Sequence, residues 1–306
     1  MHSLQTWAAA HKGKLLLLFV LSIFLGCSIV LQGYSIVQVV NLVFIEQETF
    51  SSTFAFLFLL VVAILLRLFT QFSMNRIGGT LAERVKISVR QTLLQHWTQN
   101  AMEAQMTTQT GEKVTLLIDT VDQLESYYRE YIPQIIKTTV VPLIILIAVF
   151  MTHTTSGWIM LVTVPFIPIT YIIIGMQTQK KSEEQLVAMN KFSGKFLDLL
   201  QGLQTIRLFG QSEKQEQVLA ANNKGFMERT LSVLKIAFAS TLFIEFITTL
   251  GVGLVALEIG FKMIVFQSLA FAPAFFVLTM APEFYNSLKE LGAAFHTGRG
   301  RDRKSV

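Results

Sequence analysis

Residues 186–203 read LVAMNKFSGKFLDLLQGL. Leu186, Met189, Phe192, Phe196, Leu200 and Leu203 recur every three or four positions, the period of an amphipathic helix and not of a linker. The segment lies inside a polar stretch, Gln177 to Lys235, with very apolar sequence on both sides. Upstream, no Asp, Glu, Lys or Arg occurs from Thr138 to Gln179, and downstream Ile236 to Leu257 carries Glu245 alone. An amphipathic helix placed between two membrane-like runs does not end at the membrane surface. It predicts membrane helices that continue into water as a packed hairpin.

The same pattern occurs earlier in the chain. Leu15 to Ile45 is free of acidic and basic residues. As a helix it is about 46 Å long, more than the ~30 Å of a hydrocarbon core. Thr53 to Asn75 is broken only by Arg67, and the polar stretch Arg76 to Gln134 again has helical apolar spacing through Leu81, Val85, Val89, Leu93 and Leu94. The polar insert Thr152 to Gly157 divides the long central run into two spans. The expected fold is an all-α membrane protein of six transmembrane helices, at about 15–43, 53–75, 135–151, 158–177, 236–257 and 263–281, with long helical extensions. Composition agrees: 52% of residues are hydrophobic and only 15% charged, with a mean hydropathy of +0.53. Soluble domains carry roughly 25% charged residues.

Of the 25 Lys and Arg residues, only Lys262 falls in a short outer connection and only Arg67 within a span. The positive-inside rule therefore places both termini and both long extensions in the cytoplasm. Topology accounts for the net charge of +5, which gives no reason to invoke nucleic acid. Cys27 is the single cysteine, so there is no internal disulfide. The apolar run continues past it to Ile45, too long for a signal segment, which argues against a lipoprotein signal and for Cys27 as a small apolar residue inside a helix. The five His residues form no H-x-x-x-H pattern and no C-x-x-C occurs, so no metal site is expected. Tyr127, Tyr128 and Tyr131 read as an interfacial aromatic belt.

Charges inside spans are costly and mark function or pairing. Arg67 lies nine residues before Arg76, and Glu245 ten residues after Lys235. Both are thus about 14–15 Å from the inner boundary, at matching depth. They are candidates for an ion pair between the second and fifth helices. They are equally candidates for a translocation cavity in which Arg67 takes a substrate carboxylate. Gln32 and Gln71 add polar lining.

Several stretches carry a family resemblance. They are Tyr127-Tyr128-Arg129-Glu130-Tyr131-Ile132-Pro133-Gln134, Phe192-Ser193-Gly194-Lys195-Phe196-Leu197-Asp198 running on to Gly210, Ile244-Glu245-Phe246 and Ala281-Pro282-Glu283-Phe284. With the six-helix pattern they resemble the transmembrane domain of type I ABC exporters over residues 1–298, leaving a basic tail at 299–306. Within that family they are similar to the CydD-like subunit of the thiol exporter for cytochrome bd assembly. The resemblance implies export of cysteine or glutathione across the bacterial cytoplasmic (inner) membrane, in a heterodimer with a CydC-like subunit. It also implies coupling segments that dock on a nucleotide-binding domain, here Gln204, Arg207 and Phe209, and Met102 and Glu103 in the first extension. No G-x-x-x-x-G-K-[ST] loop occurs, so this chain alone is expected to be no enzyme and to hold no cofactor. ATP and Mg are expected on a missing or separate domain. The alternatives are a truncated non-transporting subunit, a transporter of haem or another anionic ligand, and an ion-coupled carrier using Arg67 and Glu245. The carrier reading lacks the inverted repeat usual in that class.

The topology is tested by cysteine accessibility. A cysteine replacing Thr154 should react with an impermeant thiol reagent from outside the cell and one replacing Gln215 should not. The reverse pattern would sink the six-span arrangement.

Overall fold

The structure is a computed structural model and describes residues 12–47, 50–99, 117 and 121–302. The described residues form helices and contain no strand. In chain order these are α1 (Lys12–Val40), α2 (Phe50–Gln99), α3 (Val121–Ser126), α4 (Ile132–Thr152), α5 (Thr154–Thr163), α6 (Phe166–Gln201), α7 (Leu203–Leu208), α8 (Ser212–Gly260) and α9 (Phe271–Asp302). Wider π-type turns finish α1 (Asn41–Ile45) and α8 (Phe261–Val265) and lead into α4 (Tyr127–Tyr131). The expected extensions are present as continuous helix: α2 has 50 residues and α8 has 49. At 1.5 Å per residue each is about 75 Å long, more than twice a hydrocarbon core.

Among the described residues, five helical segments are long and apolar enough to cross a membrane: Lys12–Ile45, Phe50–Gln99, Tyr127–Thr152, Thr154–Gln201 and Ser212–Val265. The sixth span was expected at 263–281, but Met263 belongs to the π turn that ends α8, and the last helix starts only at Phe271. That helix runs on to Asp302, and its apolar character is diluted by Pro282, Glu283 and Asn286. The polar insert at 152–157 does divide the central run, with the break at one residue. A single extended residue, His153 (φ −152°, ψ 100°), joins α4 to α5. Its Nδ1 lies 3.3 Å from the Ser156 N–H and 2.8 Å from Ser156 Oγ. The side chain therefore caps the new helix, and the polar residues that follow form its first turn.

The chain divides into two compact units, residues 1–165 with 248–306, and residues 166–247. In the first, α1, α2, α4 and α9 pack around Leu18, Leu25 and Ile29, Val141, Ile145 and Val149, and Val277, Met280 and Phe284. Towards the α2 extension, Leu81, Ala82 and Val85 enclose Tyr128, which is fully buried. Tyr128 is a core residue and not part of an interfacial belt. Tyr127 and Tyr131 pack beside one another at 5.0 Å between ring centroids, and Tyr127 sets its ring edge-on to Tyr128. Lys86 ties this end together, 2.9 Å from Asp122 and 2.8 Å from Glu125.

In the second unit α6 and α8 form a hairpin. Gln185 donates to Thr230, Phe192 stacks on Phe226 at 5.9 Å, and Lys195 donates to Asn222. Rising numbers on α6 meet falling numbers on α8, so the pair is antiparallel.

Close approach explains one glycine in particular. A Cβ on Gly78 would stand 2.5 Å from the backbone oxygen of Arg129, whereas one on Gly79 would meet nothing within 4 Å. Backbone cannot swing aside as a side-chain tip can. Gly79→Ala should therefore stabilise the protein in detergent by about 0.5–1 kcal/mol through helix propensity. Gly78→Ala should destabilise it by about 1–3 kcal/mol through overpacking. Equal shifts in melting temperature would refute the tight α2 contact.

Candidate functional site

Arg67 enters the first unit from the membrane part of α2. Its Nη1 donates to Gln32 Oε1 of α1 at 3.0 Å and to Glu283 Oε1 of α9 at 3.0 Å, and Nη2 donates to Glu283 Oε2 at 3.2 Å. The guanidinium thus grips the carboxylate as a fork, the stronger and more directional form of ion pair. About a third of each charged side chain stays exposed, 30% for Arg67 and 33% for Glu283.

Of the residues expected to bind substrate, the structure brings Arg67 and Gln32 together, with Gln71 one turn further along α2. The carboxylate held by Arg67 is Glu283 rather than the expected Glu245. Equal depth in two helices does not make them neighbours, and the α2 charge is met from α9. Glu245 is an exposed residue of the second unit. Glu283 belongs to a stretch that carries the resemblance but is not counted as a charge within a span, because it follows Pro282, beyond a span ending at Ala281. The signal was there: α9 is still helical at 283, since membrane helices tolerate proline.

Next to this cluster, Leu25, Gln71, Met74, Asn75, Lys137 and Glu290 face a half-open cavity of about 600 Å³. Glu290 Oε2 accepts from Lys137 Nζ at 2.8 Å and from Gln134 Nε2 at 2.7 Å. Lys137 keeps 18% of its side chain exposed and Glu290 48%. Arg129 and Glu130 also line the cavity. Its wall therefore carries both signs of charge. No cluster of metal-ligating side chains occurs among the described residues.

A second polar group joins α5 to the end of α8. Ser156 Oγ donates to Glu258 Oε2 at 2.7 Å, and Lys262 Nζ donates to Thr155 Oγ1 at 2.7 Å. Lys262 also stands 3.2 Å from Glu258 Oε1, an ion pair without hydrogen-bond alignment. Burial lowers the pKa of His153, against the opposing pull of Glu258.

Of the expected coupling residues, Gln204, Arg207 and Phe209 lie on and just after α7, and all three are exposed. Met102 and Glu103 lie outside the described residues. The short helix ends in a Schellman turn. Gly210 has φ +64°, its N–H reaches Arg207 O at 3.2 Å, and the Gln211 N–H reaches Ile206 O at 3.0 Å. This ending leaves Leu208 and Phe209 projecting, 84% and 74% exposed.

Residues 15–287 match the family described as the ABC transporter transmembrane region. The chain is 28% identical over 278 residues to the glutathione/L-cysteine transport system ATP-binding/permease protein CydD of Escherichia coli (strain K12), covering 89% of this chain and 47% of that protein. It is 34% identical over 193 residues to the Haemophilus influenzae protein of the same name, with coverage of 61% and 33%. It is 30% identical over 187 residues to the corresponding CydC of Bacillus subtilis, again covering 61% and 33%. The chain spans about half the length of the E. coli protein.

The Arg67–Glu283 pair makes a direct prediction. Stranding one charge in a span costs about 2.5–3.5 kcal/mol on insertion scales, less here because both side chains are partly exposed. Arg67→Ala should lower the melting temperature, and Arg67→Ala with Glu283→Ala should recover most of the loss. Arg67→Ala with Glu245→Ala should not. Recovery by the Glu245 change instead would reassign the partner.

Proposed function

Because the chain belongs to the ABC transporter transmembrane family, we propose that it is the membrane subunit of an ATP-driven exporter that carries small thiols, cysteine or glutathione, out of the cytoplasm. The observation that carries this reading is the Arg67–Glu283–Gln32 cluster beside a half-open cavity lined by both signs of charge. Cysteine and glutathione are zwitterions: each carries an ammonium for an acid and a carboxylate for a guanidinium. The names of the E. coli, H. influenzae and B. subtilis relatives supply the substrate class. The resemblance adds the heterodimer with a CydC-like partner and the service to cytochrome bd assembly.

A partner subunit is further supported by the second unit. The amphipathic seam that predicted a packed hairpin is left open on this chain: Leu186, Met189, Phe196, Leu200 and Leu203 are 42–53% exposed. Contiguous apolar surface of this kind marks an interface. ATP and Mg would bind a nucleotide-binding domain in the complete transporter. The projecting Leu208 and Phe209 of the α7 turn would dock on it, with Arg207 alongside.

The test is reconstitution with an ATPase-bearing partner, followed by thiol uptake into inside-out vesicles. Uptake of cysteine or glutathione that needs ATP supports the reading, and co-purification without transport would favour a non-transporting subunit. Within that complex, Phe209→Ala or Arg207→Ala should uncouple transport from hydrolysis. Loss of one interface anchor costs about 1–2 kcal/mol or more, so coupling should fall roughly tenfold. If both variants keep full thiol-stimulated hydrolysis and transport, the docking site lies elsewhere.

A further inference from the structure

The cations of the first unit are mostly held by acids. Arg67, Lys86, Arg90, Arg129, Lys137 and Lys262 each stand within 3.2 Å of a carboxylate. One cluster is left over. Among the described residues no carboxylate lies within ion-pair distance of Lys12, Lys14, Arg76 or Arg84, and residues 1–11 contain no Asp or Glu. Lys14, in the first turn of α1, reaches across to α2, where its Nζ donates to Thr80 Oγ1 at 3.0 Å. Arg76 and Arg84 stand four residues to either side of Thr80, both exposed. They share its face of α2, each about 6 Å away along the axis. Arg84 repels the Lys14 ammonium more than Glu83 attracts it. Three cations are thus gathered around one hydroxyl, and Glu83 is the one acid of the described residues that offsets them.

The same face of α2 changes character along the membrane span. Leu65, Phe69 and Phe72 are exposed and apolar, and with Arg76, Thr80 and Arg84 they fall within one sector of about 120°. On α1, Leu17 is exposed one turn from Lys14. The apolar band on α2 ends about 6 Å before the first cation. Acyl chain, then phosphodiester, is the order in which a glycerophospholipid meets a membrane helix. We propose that Lys14, Arg76 and Arg84, gathered at Thr80, form a site for the headgroup of an anionic phospholipid, whose acyl chains lie along Leu65, Phe69 and Phe72. The site does not depend on the export reading. It needs only that α1 and α2 cross a membrane, as the family match requires.

The donors fit this ligand. The Thr80 hydroxyl gives its proton to Ile77 O at 3.0 Å, so its oxygen accepts from Lys14 and holds the ammonium between the two arginines. One N–H of that ammonium is used and two remain. Each guanidinium offers five more. A phosphodiester monoanion accepts from several sides at once, and a guanidinium grips it as a fork. A zwitterionic headgroup brings its own cation, which Arg76 and Arg84 repel. A soluble phosphate would find the cations but leave Phe69 and Phe72 uncovered. Lys12, two residues before Lys14, falls on the other side of α1 and takes no part. Basic residues gathered where a span meets the membrane surface are a general means of holding anionic headgroups.

The test is native mass spectrometry of the full chain in neutral detergent, titrated with phosphatidylglycerol and with phosphatidylcholine. Each basic residue at an anionic lipid surface is worth roughly fivefold in binding. Three cations less Glu83 should therefore give phosphatidylglycerol an advantage of about 25-fold. Lys14→Gln with Arg84→Gln should erase it, and Arg84→Gln alone should cut it about fivefold. Lys214→Gln with Lys224→Gln removes the same charge from the second unit and should leave the advantage intact. A preference that survives the first pair of changes, or falls equally with the control pair, overturns the site, as does no preference in the unaltered chain. Displacement of phosphatidylglycerol by equimolar glycerol 1-phosphate would mark a site for free phosphate and overturn the lipid. Neither Lys14 nor Arg84 holds an acid, so the double variant should keep the unaltered melting temperature in lipid-free detergent. If it does not, Arg76→Gln and Arg84→Gln taken singly decide, and an undiminished preference in both overturns the proposal.

Discussion

An ionised side chain in a membrane span must have a partner, and much of the first unit is arranged around that need. Arg67 cannot be met by lipid, so α1 and α9 must each bring a polar group to the same point on α2. Gln32 and Glu283 do so within 3.2 Å, which pins three helices at one height. Apolar packing alone would not set that height, because Leu and Val contacts between helices in lipid slide at little cost. The Lys137–Glu290–Gln134 group fixes α9 against α4 in the same way two turns further on. Register is therefore held by hydrogen bonds, and the large side chains at Leu25, Ile145 and Met280 fill the space between.

The same economy explains what was legible in the sequence. Long charge-free runs cannot be anything but buried or lipid-facing, so the membrane character and the first five spans stood out. The Leu186-to-Leu203 spacing could only be helical, and α6 runs unbroken to Gln201. The 152–157 insert marks a true break between two helices, with His153 capping the second. The end of the last span is misread: Pro282 and Glu283 look like its far side, yet Glu283 continues the helix. Polar residues inside membrane helices are invisible to a count of charges when their partners come from other helices.

Choice of partner is the other thing that linear sequence does not hold. Arg67 and Glu245 match in depth, and depth is all that residue counting supplies. Which helix stands beside α2 depends on how helices close around small residues, as where α2 meets the Arg129 backbone at Gly78. A glycine in sequence shows that something comes close; the partner is known only from the fold. The burial of Tyr128 against Leu81 and Val85 is the same lesson, since an aromatic at a membrane boundary has equal reason to face lipid headgroups or a neighbouring helix.

Both ion pairs, Arg67–Glu283 and Lys137–Glu290, also sit close to a proline inside a helix, Pro282 next to Glu283 and Pro142 five residues from Lys137. A proline has no N–H to give, so the carbonyls of Leu278 and Thr138 lose their usual helical donor. Each proline nevertheless stands inside an unbroken helix, which membrane proteins allow where neighbouring helices hold the segment. The ion pairs supply that hold: Glu283 fastens α9 to α2 one residue from Pro282, and Lys137 fastens α4 to α9 five residues from Pro142.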